Sequence, residues 1–263
     1  MRSLFVDIAR TLVKFSPGYH NELGSYLRSQ GYCVSDRDVY REIAMQRAWM
    51  HLPCPGTEKA SLDFACLLET LTGESPDDDI IEGMKCTGVA EQTWDLYDDA
   101  AEFLESAKET GIRVVLIGSI SDQNMGLVSK LGLDRLVEGS VFAANEGLRR
   151  CGADVFRRAE NIAGSRGIFI GDTYEVDEAD AVSADLPFLL IDRDDYYCDV
   201  RRGKTRSLVE AWPFVYTSCV FNEPASPVLL PGRTSPADRQ DGRKPQAVRS
   251  SHPMSTRALT GPL

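Results

Sequence analysis

Two short apolar runs, far apart in the chain, both stop at a carboxylate. Ser3-Leu4-Phe5-Val6 runs into Asp7, and Ile168-Phe169-Ile170-Gly171 runs into Asp172, with Asp177 five residues further on. Near-continuous apolar runs of this length read as strands covered on both faces, which is the setting of a parallel α/β sheet. In such sheets ligands bind beyond the carboxyl ends of the strands, so Asp7, Asp172 and Asp177 are expected to converge on one crevice. Three carboxylates in one crevice make a site for a hard cation.

The rest of the chain continues the pattern. From Leu96 onward helix and strand signals alternate: an amphipathic helix over Ala100 to Thr110, closed by Gly111, then a buried strand Arg113 to Ile117. A helix from Met125 to Leu131, a strand Ser140 to Ala143, a helix Ala153 to Ala163 and strands at Ile168 and Phe188 to Ile191 follow. The predicted class is α/β, a Rossmann-like parallel sheet with helices on both faces.

After Leu12 the strand pattern stops, and a helical insert is expected. Leu23, Tyr26 and Leu27 lie at helical spacing; Ser35 or Asp36 can cap a helix carrying Val39, Ile43 and Met45; Pro53, Pro55 and Gly56 interrupt it. Ser61 opens another helix through Phe64, Leu67 and Leu68, and Asp77-Asp78-Asp79 suits the positive end of a further one. Residues 1–14 and 95–220 are thus read as the core domain and 15–94 as the insert. Beyond about residue 220, seven prolines are interleaved with Ser, Thr, Arg and Gly without apolar period, so 221–263 reads as a disordered tail.

Composition narrows the function classes. At 263 residues and 43% hydrophobic the chain can bury a sizeable core. The net charge of -11, with no basic stripe before residue 200, argues against nucleic acid or an anionic membrane as partner. Seven cysteines without a C-x-x-C pair fit a reducing cytoplasm, and no apolar run is long enough to span a bilayer. A soluble cytoplasmic protein is expected; its oligomeric state is not legible.

The two carboxylate segments resemble the first and last motifs of the haloacid dehalogenase (HAD) superfamily of hydrolases, Asp-x-Asp-Gly-Thr-Leu and Gly-Asp-x-x-x-x-Asp, over roughly residues 3 to 215. The last motif matches in full at Gly171, Asp172 and Asp177; the first matches at Asp7, Thr11 and Leu12. Two positions depart. Ala9 stands where most family phosphatases have a second aspartate that protonates the leaving group, and Arg10 stands where they have glycine.

The resemblance implies roles for individual residues. Asp7 would be the nucleophile, forming an aspartyl-phosphate. Mg²⁺ would be held by Asp7, the backbone carbonyl of Ala9, Asp172 and Asp177. The insert would be the mobile cap. Ser119 would serve as the second-motif phosphate donor, although Gly118 could hold that register, and Arg150 would be the third-motif cation, where lysine is usual. Arg10 and Thr11 beside the nucleophile, and Arg47, His51 and Lys59 in the insert, are expected to bind substrate.

Each has an ordinary alternative. A strand-terminal Asp7 can cap a turn, Asp172 and Asp177 can serve a helix dipole, Gly118-Ser119 can be a plain turn, and Arg149 or Arg150 can be solvated. His20 and His51 have no metal-ligand spacing. Without an acid at position 9 a leaving group departs unaided, and such proton transfer commonly contributes about 10²–10⁴-fold. A phosphonate-cleaving branch of the superfamily also has alanine there and relies on a cap lysine, but the surroundings of Lys59 and Lys85 do not match it. Two functions follow: a Mg²⁺-dependent hydrolase of a small phosphorylated (or phosphonate) metabolite with a good leaving group, or a catalytically impaired descendant that binds metal and phosphate as a regulatory or scaffold module.

Overall fold

The computed structural model describes residues 3–51, 62–75, 77–88, 93–118, 126–143 and 153–221, with side chains other than those of 49–51. The two carboxylate segments are adjacent strands. β1 (Ser3–Asp7) lies between β4 (Arg113–Gly118) and β6 (Gly167–Gly171), parallel to both. β5 (Gly139–Phe142) extends the sheet beyond β4, while β7 (Phe188–Ile191) and β8 (Lys204–Thr205) extend it beyond β6, giving the order β5-β4-β1-β6-β7-β8. Every pairing is parallel. The chain steps outward on one side of β1, then crosses back to its other side. This reversal makes the carboxyl ends of β1 and β6 a topological switch point, where such sheets leave a crevice.

Alternation along the strands builds the two apolar layers. Leu4, Val6, Val114, Leu116, Ile168 and Ile170 face one side, against α5 (Ala100–Glu109), α6 (Leu127–Lys130) and α9 (Leu208–Val220). Phe5, Val115, Ile117, Val141 and Phe169 face the other, against α7 (Ala153–Ala163) and α8 (Ala179–Ser183). Each fully buried aliphatic or aromatic side chain contributes roughly 1.5–3 kcal/mol.

β2 (Val13–Ser16) leaves the core and pairs antiparallel with the returning β3 (Thr93–Leu96), so a two-stranded ribbon joins core and insert. Four helices follow β2: α1 (Tyr19–Ser29), α2 (Asp36–His51), α3 (Phe64–Thr72) and α4 (Asp78–Cys86). They surround an apolar cluster of their own, including Leu23, Leu27, Val39, Ile43, Leu67, Leu68 and Met84. Ser35 Oγ accepts the Asp38 N–H at the start of α2, Asp77 caps α4, and Asp63 caps α3. Met45 is exposed, not part of the buried stripe.

α9 is a further element absent from the sequence reading. Pro213 lies inside it and removes one backbone donor, yet Ser207 Oγ accepts the Glu210 N–H at its start and Leu208, Ala211, Val215 and Cys219 are buried. The described residues all fall within one unit, spanning Met1–Pro227. The tail expected to be disordered lies outside the described residues beyond Phe221. No described helix is long and apolar enough to cross a membrane.

Candidate active site

Asp7 is the last residue of β1, paired in register with Ile117, and is 1% exposed. The chain then folds back tightly: Ile8 O accepts the N–H groups of Leu12 and Val13, and the Arg10 N–H bonds to Val13 O at 2.7 Å. This loop brings Thr11 beneath the carboxylate, where Thr11 Oγ1 donates to Asp7 Oδ2 at 3.4 Å. It also drives Arg10 to φ +60°, the left-handed region that glycine enters without strain.

Asp172 follows β6 directly. Its Oδ2 accepts from Tyr40 Oη on α2 at 2.7 Å and from Arg10 Nε at 3.1 Å, while Oδ1 accepts from Thr173 Oγ1 at 3.1 Å. The next residues form a π-helical turn, Tyr174–Glu178, that carries Asp177 back beneath the chain. There Asp177 Oδ2 accepts the Thr173 N–H at 2.8 Å, fully buried. A Cβ on Gly171 would collide with this carboxylate, which explains the glycine before Asp172.

The Arg10 guanidinium is gripped from several sides. Nη2 donates to Asp194 Oδ2 at 2.6 Å, and Cζ stands 4.5 Å from the centre of the Tyr40 ring and 5.4 Å from that of Tyr196. Burial works against its charge, but the oxygens of Tyr40, Asp172 and Asp194 more than compensate and raise its pKa above its ordinary value. Burial, reinforced by Asp172, holds the Tyr40 phenol well above its ordinary pKa, so it acts as a neutral donor. His20 Nε2 lies 3.1 Å from Tyr196 Oη, and burial, then the Arg10 charge, push its pKa down to about 4. The imidazole is neutral at neutral pH.

Asp7, Ala9, Arg10 and Asp172 line one cleft of about 320 Å³ between sheet and insert. Arg47, His20 and Tyr40 line it from the insert, and Phe15 and Trp94 of the ribbon close it with rings 4.2 Å apart in edge contact. Thr11 is buried behind Asp7. Gly118 ends β4 beside β1, its carbonyl accepting the Ala143 N–H. Ser119, Arg150 and Lys59 lie outside the described residues, as does the side chain of His51.

The geometry brings Asp7 and Asp172 to one cleft and turns Asp177 to the backbone of its own loop. Among the described residues no three His, Cys, Asp or Glu side chains group as a metal-ligand set. Asp177 is directed to a backbone N–H, and both oxygens of Asp172 already accept hydrogen bonds, one of them from a cation. In this arrangement the cation that faces Asp172 is the Arg10 guanidinium.

Sequence reading missed Tyr40, Thr173, Asp194 and Tyr196, and treated His20 as incidental. The acidic run after β7, Asp192-Arg193-Asp194-Asp195, was a usable signal, since it too follows the carboxyl end of a central strand. Tyr40 carried none, because its neighbours Val39 and Ile43 already define the apolar stripe of α2.

A six-stranded parallel sheet with a buried carboxylate at the switch point and a helical insert after its first strand is the haloacid dehalogenase-like fold, and solved structures agree. An HAD family hydrolase from Deinococcus radiodurans R1, with bound phosphate and sodium, superposes with a TM-score of 0.56 at 15% identity, over 83% of this chain and 96% of that one. An L-2-haloacid dehalogenase gives 0.53 at 14% identity over 82% and 98%. A haloacid dehalogenase-like family hydrolase from Streptococcus pneumoniae gives 0.51 at 17% identity over 81% and 98%. No protein-family model and no curated protein matches the sequence. At these identities the likeness establishes the fold.

Proposed function

We propose that the protein is a hydrolase of small phosphorylated metabolites that works through a covalent intermediate on Asp7. The observation that carries this reading is the placement of Asp7: buried at the carboxyl end of β1, steadied by Thr11, on the wall of a cleft that also presents the Arg10 cation. A carboxylate next to a fixed positive charge can approach an anionic phosphoryl group that would otherwise repel it.

In the first step an Asp7 oxygen forms a bond to phosphorus while the bond to the leaving oxygen breaks, its electron pair going with the leaving group. In the second, water attacks phosphorus, the bond to Asp7 breaks, and free carboxylate and inorganic phosphate result; the proton lost by water passes to solvent. Ala9 offers the leaving oxygen no proton, so low-pKa leaving groups are favoured. The aromatic wall of Phe15 and Trp94 suits a flat, apolar one. The substrate class is therefore an acyl or aryl phosphate. The HAD family hydrolase from Deinococcus radiodurans R1, which shares the fold, was solved with bound phosphate and sodium, and this supports an anionic ligand.

Mg²⁺, expected from the resemblance, enters no step of this reading. The runner-up is the impaired, anion-binding descendant, favoured by the absent acid at Ala9. A panel of acyl, aryl and alkyl phosphates decides between them: acyl or aryl turnover supports the hydrolase, and anion binding without turnover of any member supports the binding module.

A further inference from the structure

We infer that the Arg10 guanidinium occupies the place of the divalent cation in this site, so that anion binding beside Asp7 is metal-independent. The inference deepens the reading of the cleft as a hydrolase centre and rests on it. Its ground, however, is independent of turnover.

Three observations carry it. First, Arg10 sits at φ +60°, at a position where the resemblance sets a glycine, so the large side chain is held there against its own backbone preference. Strain of this kind persists where surrounding contacts over-determine it, and here they do: Asp172, Asp194 and the rings of Tyr40 and Tyr196 all hold one guanidinium. Second, the group it binds is Asp172, the carboxylate that the last motif would give to a metal. Oδ2 receives Arg10 Nε and Tyr40 Oη, and Oδ1 receives Thr173 Oγ1. A divalent ion there would compete with these donors and sit against a fixed positive charge. Third, only Nε and Nη2 of Arg10 are engaged; Nη1 has no hydrogen-bond partner among the described residues, and the guanidinium lines the cleft together with Asp7. One edge of the fork is thus turned to Asp172 and Asp194, which leaves Nη1 for an incoming anion.

The exchange has a consequence that can be measured without substrate. Arg10→Gly suits the left-handed backbone, removes the competing charge and exposes the Asp172 carboxylate. Titration of Mg²⁺ into the parent, followed by calorimetry and by melting temperature at matched ionic strength, is expected to show no saturable binding. Arg10→Gly is expected to gain it, with a melting temperature rising by about 3 °C at a tenfold excess over Kd. Adding Asp172→Asn to Arg10→Gly is expected to abolish the gain. Phosphate binding should be indifferent to chelator in the parent and require Mg²⁺ in Arg10→Gly.

Saturable Mg²⁺ binding by the parent that is lost in Asp172→Asn would overturn the inference. So would a folded Arg10→Gly that remains blind to Mg²⁺, because Arg10 would then not be what excludes the ion; Arg10→Asn, which also tolerates the left-handed region, repeats that arm should the glycine variant fail to fold. A parent that turns over no phosphorylated compound yet shows the predicted Mg²⁺ exchange would reject the proposed reaction and leave this inference standing.

Discussion

Arg10 and Asp172 are 162 positions apart and meet with Nε 3.1 Å from Oδ2, so that the loop after β1 and the loop after β6 are joined by an ion pair at the switch point of the sheet. Tyr40 reaches the same oxygen from the insert. One carboxylate therefore ties the nucleophile loop, the last motif and helix α2 together, and the first prediction concerns that tie.

Tyr40→Phe keeps the ring over Arg10 and removes only the hydroxyl that donates to Asp172 at 2.7 Å. Loss of a buried hydrogen bond to a charged acceptor is expected to cost about 2 kcal/mol, read from urea denaturation. A change below a few tenths would show that Asp172 does not depend on this donor.

A second tie fixes the nucleophile loop from the other side. Arg193 bonds Asp99 with both terminal nitrogens, at 2.8 and 3.2 Å, and donates to Thr11 O at 2.9 Å, its Cζ lying 3.8 Å from the Tyr97 ring centre. Asp99 also accepts the Leu208 N–H at the start of α9. Arg193→Ala leaves a largely buried carboxylate without its cation and is expected to cost about 3 kcal/mol in the same assay. Arg193→Lys should recover only part, since an ammonium cannot reproduce the fork.

The buried His20 predicts a pH effect with a definite sign. Its folded pKa of about 4 lies below the ordinary 6.5, so between these values the unfolded chain binds more protons than the folded one. Its contribution is present above pH 6.5 and is lost as pH falls towards 4, a change of roughly 3 kcal/mol. His20→Gln should flatten stability against pH across that window; an unchanged slope would contradict the burial of a neutral imidazole.

The sheet was legible because its strands are covered on both faces and so read as unbroken apolar runs ending in turns; β7 and α7 fall where expected, residue for residue. β2 and β3 were not legible: Val13-Lys14-Phe15-Ser16 and Thr93-Trp94-Asp95-Leu96 are short and half exposed, and gain their partners only from each other. α9 was hidden by Pro213. In the site, the positions of Asp7 and Asp172 followed from strand ends. The direction of Asp177 did not, because a π-helical turn shifts side chains off the spacing of an ordinary helix. Arg10 was visible as a departure from glycine, but its partners Asp194 and Tyr40 lie 184 and 30 positions away, beyond the reach of any local pattern.

The missing acid at Ala9 gives the fourth prediction. Rates in the parent should fall steeply as leaving-group pKa rises, and Ala9→Asp should raise alkyl-phosphate turnover by about 10²-fold while changing aryl-phosphate turnover little. Comparable parent rates for aryl and alkyl esters would mean that another group supplies the proton.

The most direct test of the account is the chemistry of Asp7 itself. During turnover of an acyl or aryl phosphate, acid quench and peptide mass spectrometry should find one phosphoryl group on the peptide that contains Asp7, and Asp7→Asn should lose both that adduct and all turnover while keeping the parent's fold. Turnover that survives in Asp7→Asn, or a phosphoryl group carried by any other residue, would contradict it.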